Sequence, residues 1–137
     1  MNDVILNKVH SIQHCIQRAR EEHRLSRDFA SDYTRQDAAI LNITRACQQS
    51  IDLANYVVRI RKLGLPVDSG SSFEAAADAG MIPRELAKNL RNMIGFRNIA
   101  VHEYQEISIP ILEAVITDTS DELLKFSELM LAEARAN

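Results

Sequence analysis

The chain has 137 residues, of which 46% are hydrophobic and only 5% aromatic, so its core must be largely aliphatic. This length suits a single domain covering 1–137, and four glycines with three prolines provide too few turns for a many-stranded sheet. The formal net charge of −3 argues against an indiscriminate nucleic-acid binder, because such proteins are usually basic.

Apolar residues at three- and four-residue spacing predict a first amphipathic helix over roughly 3–24. The polar segment 25–34 then predicts a loop. Thr34 is the predicted N-cap of a second long helix that runs to about Leu63, with Asp37 in its first turn, where a carboxylate favours the helix dipole. The apolar face of this second helix is wide, which predicts a central helix that touches several neighbours.

The next elements are short and are marked by turn residues. The segment 64–66 ends the second helix, since glycine favours the left-handed cap and proline cannot continue the ladder. Ser71 followed by Glu74 predicts a capping box that opens a short helix ending at Gly80.

Two further helices complete the chain. Pro83 suits the first turn of a fourth helix that continues through Arg97, and Ser108 with Pro110 starts a fifth. Antiparallel helices with short links form bundles, so we predict an all-α bundle of four long helices and one short helix.

The sequence has no apolar run as long as a membrane span and no N-terminal signal pattern. Cys15 and Cys47 form no CxxC pair and lie inside apolar helical patterns. We therefore expect buried, reduced thiols and a cytoplasmic protein that does not contact a membrane.

Charge is distributed unevenly along the chain. Residues 103–137 hold eight acidic residues against two basic ones, a net of −6, which leaves +3 for the remainder. Positive charge gathers on the fourth helix at four residues that face only Glu85 in the sequence: Arg84, Lys88, Arg91 and Arg97. Such a face could hold a phosphate chain, although a solvated helix surface explains it equally well.

Arg97, His102 and Tyr104 stand close together at the end of the fourth helix. Arginine binds phosphate with a planar two-pronged donor and histidine moves protons near neutral pH, which is much of what metal-free phosphodiester cleavage needs. On an ideal helix Arg97 and His102 lie about 140° apart. They converge only if the helix loosens after Gly95, whose helix propensity is about 1 kcal/mol below that of alanine, or if two chains meet across a dimer interface.

No helical signal follows His102 until Ser108, which predicts an extended segment in which His102 and Tyr104 point the same way. A purely structural alternative also remains open. In it, Arg97 pairs with a carboxylate, His102 caps the helix C-terminus and Tyr104 packs at the end of the bundle.

The ten residues 95–104, GFRNIAVHEY, resemble the R-x4-H-x-Y motif of the HepT toxins within the HEPN superfamily. The likeness includes Asn98 beside the arginine, and it extends to 45–54, 62–66 and 79–82, so that it spans nearly the whole chain.

This resemblance implies a dimeric HEPN-type bundle that places two R-x-H motifs in a cleft between protomers. It also implies a metal-independent endoribonuclease, the toxin of a type VII-like toxin–antitoxin system, that requires no cofactor. The expected partners are an RNA substrate (tRNA or mRNA), a second copy of the chain and a minimal nucleotidyltransferase antitoxin of the MntA type, with no DNA. The antitoxin would transfer AMP onto Tyr104 and so silence the nuclease.

The residues fit a specific mechanism. Arg97 would stabilise the phosphorane, His102 would move protons, and Asn98 would orient the scissile phosphate or the histidine. A second His102 from a partner protomer would allow one acid and one base, giving a 2′,3′-cyclic phosphate and a 5′-OH. Asp52 on the second helix is a possible supporting group, paired with Arg97 or with another basic residue.

Other interpretations remain. His10 and His14 are four residues apart and could share a metal, but no third ligand accompanies them, so no metal site is expected. The alternative function is a non-catalytic helical adaptor that binds a nucleotidyltransferase and a nucleotide or RNA. A plain structural dimer is the third interpretation.

Overall fold

The computed structural model describes residues 2–135. Helices account for the regular structure of this part of the chain: α1 (Asp3–Leu25), α2 (Tyr33–Ile60), α3 (Ser71–Asp78), α4 (Arg84–His102), α5 (Ile109–Ala114) and α6 (Ser120–Arg135). A π-helical turn, Val115–Thr119, joins α5 and α6 into one helical run, which is the predicted fifth helix. The predicted bundle of four long helices and one short helix is confirmed.

Helix α1 packs mainly against α2 and α6. Its N-terminus is capped by Asn2, whose side-chain oxygen accepts hydrogen bonds from the amides of Val4 and Ile5 at 3.0 and 3.1 Å. The predicted apolar stripe is buried along its length: Ile5, Val9, Ile12, Cys15, Ile16 and Ala19. Burial of this stripe fixes α1 along the central helix.

Helix α2 is the central element and packs against α1, α3, α4 and α6. The predicted cap at Thr34 is wrong, because Asp32 caps the helix by accepting from the amide of Arg35 at 3.1 Å. Asp and Thr are both good caps, but Thr34 already lies inside α2, so the residue with the non-helical backbone at the helix start, Asp32, is the one in position to cap it. Asp37 consequently lies beyond the first turn of α2, so the predicted interaction of its carboxylate with the helix terminus is also wrong.

The loop before α3 is held by Asp68, and the predicted capping box is wrong. The Asp68 carboxylate accepts from the amides of Gly70 and Ser71 at 3.0 and 2.9 Å, while the Ser71 hydroxyl accepts from the amide of Val67. These bonds to backbone amides, with Gly70 first, and the neighbouring Arg91 guanidinium lower the pKa of Asp68 below its ordinary value.

Helix α4 continues without a break to His102, and the amide of Glu103 still donates to the carbonyl of Ile99 at 2.8 Å. Loosening of the helix after Gly95 therefore does not occur. The segment after α4 is a 3-10 turn, Tyr104–Glu106, so the predicted extended segment is wrong. The argument that His102 and Tyr104 point to the same side depended on the alternating side chains of an extended segment, and it fails because the segment is not extended.

The core is aliphatic as predicted, and it contains a fully buried aromatic pair. The rings of Phe73 and Phe126 meet edge to face, with centroids 5.4 Å apart. Cys15 and Cys47 are both buried and free, as expected. No helix within residues 2–135 combines the length and the hydrophobicity needed to cross a membrane.

Candidate functional site

Two side-chain hydrogen bonds join α2 to the C-terminal end of α4 and the turn after it. Gln48 bonds to Arg97, and Asp37 bonds to Tyr104. Gln48 follows Asp37 along α2, whereas its partner Arg97 precedes Tyr104, so α2 and the segment 97–104 run antiparallel. This packing places the motif residues of 97–104 beside α2.

Arg97 is held by neutral groups. Its Nη1 donates to the side-chain oxygen of Gln48 at 2.5 Å, and Nη2 lies 3.4 Å from the hydroxyl of Ser69 at the surface. Its Nε is buried and has no hydrogen-bond partner among the described residues. No carboxylate of the described chain forms an ion pair with Arg97, so the structural alternative in which it pairs with an acid is wrong.

Gln48 also connects the site to Asp52. The amide nitrogen of Gln48 donates to the Asp52 carboxylate at 2.9 Å, and that carboxylate lies 3.9 Å from Nζ of Lys8. Asp52 therefore pairs with Lys8 and reaches Arg97 only through Gln48. Gln48 was not predicted from the sequence, since a glutamine on a helix carries no pattern that singles it out.

Cys47 lies next to this network. Burial raises the pKa of its thiol to about 12, while the positive charge of Arg97 acts in the opposite direction. The thiol is consequently protonated at neutral pH and unsuited to act as a nucleophile.

Asn98 and His102 are both exposed on α4. Four residues apart on a regular helix, they lie about 40° from each other, whereas Arg97 lies about 140° from His102. Asn98 lines a surface groove of about 280 Å³, to which Ser69 also contributes. One chain therefore brings Asn98 and His102 onto a common face and leaves Arg97 facing α2 and the loop at Ser69.

The basic face of α4 is less positive than the sequence suggested. Arg84 pairs with Asp78 at 2.8 Å, and Arg91 pairs with Asp68 and Glu74 at 3.0 and 3.1 Å. These acids belong to α3 and to the loop before it, so the charges along α4 alone do not reveal the pairing. Within the described chain Lys88 and Arg97 remain without a carboxylate partner, so the positive charge available to a ligand is concentrated at these two positions.

Tyr104 is 44% exposed and its hydroxyl donates a hydrogen bond to the Asp37 carboxylate. It is therefore accessible, and not packed at the bundle end as the structural alternative requires. His102, in contrast, does lie in the last turn of α4, as both interpretations expected. No hydrogen bond links the His102 ring to another described side chain.

His10 and His14 are exposed on α1, far along the chain from this region. Across residues 2–135 no group of three or more metal-binding side chains comes together.

Comparisons with known proteins converge on one family. Residues 12–130 match the family model described as "Ribonuclease HepT-like". The mRNA nuclease HepT of Shewanella oneidensis is 39% identical to this chain over 133 residues, which cover 97% of this chain and all of that protein.

Solved structures agree with the sequence match. A tri-AMPylated HEPN toxin of Shewanella oneidensis, in complex with its MNT antitoxin, superposes with a TM-score of 0.90 at 39% identity, covering 96% of this chain and 99% of that one. A toxin–antitoxin complex with AMP-PNP superposes with a TM-score of 0.88 at 38% identity, covering 95% and 99%.

Proposed function

Because this chain belongs to the HepT-like ribonuclease family, we propose that it is the RNA-cleaving toxin of a toxin–antitoxin pair and that Arg97 and His102 perform the cleavage. The assignment of residues rests on how Arg97 is held, by neutral groups and without a carboxylate partner among the described residues. Its guanidinium is anchored by the neutral amide of Gln48 and keeps its full charge, with Nη2 at the surface. A fixed guanidinium without a carboxylate partner suits the phosphate of an RNA backbone.

We propose that the complete site forms between two copies of the chain. Helix α4 is regular through His102, so within one protomer Arg97 and His102 face different directions. A two-fold axis near the end of α4 would bring both copies of each residue to one cleft. It would also supply the two imidazoles that concerted acid–base catalysis requires, since one ring cannot accept and donate a proton in the same step.

The reaction that these groups can perform needs no metal. A neutral His102 takes the proton of the ribose 2′-OH as that oxygen attacks the adjacent phosphorus, and the protonated His102 of the other copy delivers a proton to the departing 5′-oxygen. Arg97 stabilises the added negative charge of the phosphorane, and Asn98 on the same face as His102 holds a phosphate oxygen. The products are a 2′,3′-cyclic phosphate and a 5′-OH.

Tyr104 is the proposed point of control. Its half-exposed side chain is accessible to a nucleotidyltransferase antitoxin of the MntA type, and the related Shewanella toxin is AMPylated and bound to an MNT antitoxin. An AMP group at Tyr104 adds bulk and negative charge two residues from His102, where an RNA phosphate must bind. Steric overlap and like-charge repulsion would both exclude the substrate. We place this system in the cytoplasm, where reduced thiols such as Cys15 and Cys47 are stable.

The direct test is cleavage of total RNA by purified wild type, Arg97→Ala and His102→Ala in the presence of EDTA. We expect losses of about 10²–10³-fold for Arg97→Ala and roughly 10²–10⁴-fold for His102→Ala. Arg84→Ala on the same helix and His14→Ala on α1 are matched controls that should keep wild-type activity. Product ends are checked by labelling 5′-OH groups with polynucleotide kinase and by the resistance of 3′ ends to ligation.

Retained activity in both motif variants would refute the assignment of Arg97 and His102. RNA left intact by the wild type, together with tight binding of the antitoxin, would instead favour the non-catalytic adaptor. Activity that disappears with EDTA and returns with a divalent cation would refute the metal-independent mechanism.

A further inference from the structure

Asp37 is the one described residue that is hydrogen-bonded to the hydroxyl of Tyr104. The tyrosine donates to the Asp37 carboxylate, and the two residues are 67 positions apart, so the contact exists only because α2 and the end of α4 pack together. Both side chains are exposed, and no ion pair with a lysine or arginine of the described chain occupies the Asp37 carboxylate. The carboxylate is thus free to accept a proton.

We propose that Asp37 is the general base that prepares Tyr104 for AMP transfer. The inference rests on the proposed function, in which Tyr104 receives AMP from a nucleotidyltransferase. A neutral phenol is a weak nucleophile, and its proton must leave as the oxygen attacks. A carboxylate already hydrogen-bonded to that proton is in the position a general base requires.

The step balances with a nucleoside triphosphate as the only co-reactant. Tyr104 Oη forms a bond to the α-phosphorus of ATP, and the bond from that phosphorus to the oxygen bridging the β-phosphate breaks. Pyrophosphate leaves with the electron pair. The phenolic proton passes to the Asp37 carboxylate and from there to water. No group is oxidised or reduced.

The hydrogen bond between Tyr104 and Asp37 cannot survive the transfer. Once Oη is esterified it has no proton to donate, and its new phosphodiester carries a negative charge beside the Asp37 carboxylate. Repulsion then separates the two side chains and moves the modified tyrosine outward from α2. Any later AMP unit attached to the ribose of the first one reacts away from Asp37. Asp37 should therefore matter for the first transfer and not for subsequent ones.

The test measures AMP transfer from ATP by the nucleotidyltransferase partner to full-length wild type, Asp37→Asn, Asp37→Glu and Tyr104→Phe, followed by intact-mass spectrometry. Glu103→Gln is the matched control, because Glu103 is an exposed acid next to Tyr104 that makes no hydrogen bond to its hydroxyl. We expect Asp37→Asn to lower kcat for the first transfer by roughly 10²-fold with little change in KM. Asp37→Glu should recover part of the rate, and Glu103→Gln should match wild type.

The outcomes distinguish a general-base role of Asp37 from a role in docking the partner enzyme. Singly modified protein should become scarce in Asp37→Asn, because the slow first step is followed by later steps at their normal rates. An unchanged first transfer in a folded Asp37→Asn variant would overturn the inference and would assign the base to the partner enzyme. A rise in KM alone, or equal slowing of every transfer, would also overturn it, since either result indicates a docking role.

The two proposals fail in distinguishable ways. If Tyr104→Phe is still modified, or wild type is not modified at all, the proposed control through Tyr104 fails and the role of Asp37 fails with it. If Tyr104→Phe abolishes modification while Asp37→Asn does not slow it, only the role of Asp37 is lost. Thermal denaturation of each variant confirms that the comparison is made between folded proteins.

Discussion

Gln48 on α2 holds Arg97 on α4 through a hydrogen bond of 2.5 Å in which the acceptor is uncharged. A carboxylate at this position would fix the guanidinium equally well but would cancel its charge. The amide of Gln48 is itself oriented by its bond to Asp52 at 2.9 Å. The network therefore positions Arg97 and leaves its charge available to an anionic ligand.

Replacing Gln48 should change activity without changing the motif. In Gln48→Ala the guanidinium loses its anchor, and we expect RNA cleavage to fall about tenfold, the equivalent of about 1.4 kcal/mol in a charged hydrogen bond. Gln48→Glu should restore the anchor but pair with Arg97, so its KM for RNA should rise. The control is Gln49→Ala, which replaces the adjacent glutamine and should cleave RNA at the wild-type rate. Wild-type kinetics in both Gln48 variants would show that Arg97 needs no support from α2.

A mixed dimer tests whether the site is shared between protomers. The mixed dimer combines one subunit carrying Arg97→Ala with one carrying His102→Ala, and it is purified through a different tag on each subunit. A cleft shared by the two subunits then contains one Arg97 and one His102. In a shared cleft this dimer and the control described next each hold one arginine and one histidine, so we expect the two to cleave RNA at equal rates, both below wild type because one imidazole of the acid–base pair is missing. The control is a dimer of wild type with the Arg97→Ala/His102→Ala double variant. If only this control is active, each protomer has an independent site.

Gly95→Ala should stabilise the isolated protomer. Gly95 lies in the exposed interior of α4, and a Cβ added there has no atom within 4 Å. Alanine is favoured over glycine in such a position by about 1 kcal/mol, which corresponds to a rise in Tm of roughly 3–5 °C for a domain of this size. Differential scanning calorimetry over a dilution series provides the measurement. A fall in Tm confined to high protein concentration would indicate that the partner protomer packs against Gly95.

Asp68 should make stability depend on pH in the acidic range. Its pKa in the folded protein is lower than the ordinary value of 3.8, first because it accepts the amide hydrogen of Gly70 and then because Arg91 lies beside it. The stabilisation is therefore fully present above about pH 3.8 and is lost as the pH falls through the lower folded value.

Urea denaturation of wild type and Asp68→Ala measures this effect. Wild type should be the more stable protein at pH 6, and the difference between the two should shrink as the pH falls below the ordinary pKa of the carboxyl. Asp3→Ala, in the first turn of α1, provides a comparison. A stability difference that stays constant down to the lowest pH would show that the charge of Asp68 contributes nothing.

Helix positions were predictable from the sequence because periodicity is a local property. The apolar stripes of α1 and α2 are visible within one stretch of chain, and the observed helices follow them. The predicted glycine cap at 64–66 is wrong, because α2 ends at Ile60 and Lys62, with φ 58°, takes the left-handed position after it. The capping residues were less predictable. Thr34 and Ser71 compete with Asp32 and Asp68 nearby, and small differences in backbone geometry choose between chemically similar donors and acceptors.

By itself, the amino-acid sequence determined that this protein is a bundle of helices with a family motif at the end of the fourth, because both depend on residues close together in the chain. Only the tertiary structure decided which groups surround that motif. Gln48 beside Arg97 and Asp37 beside Tyr104 come from a helix that is dozens of residues earlier, and the acids that neutralise Arg84 and Arg91 come from α3 and the loop before it. Such pairs depend on how two helices pack in space, and no pattern along one helix encodes that packing.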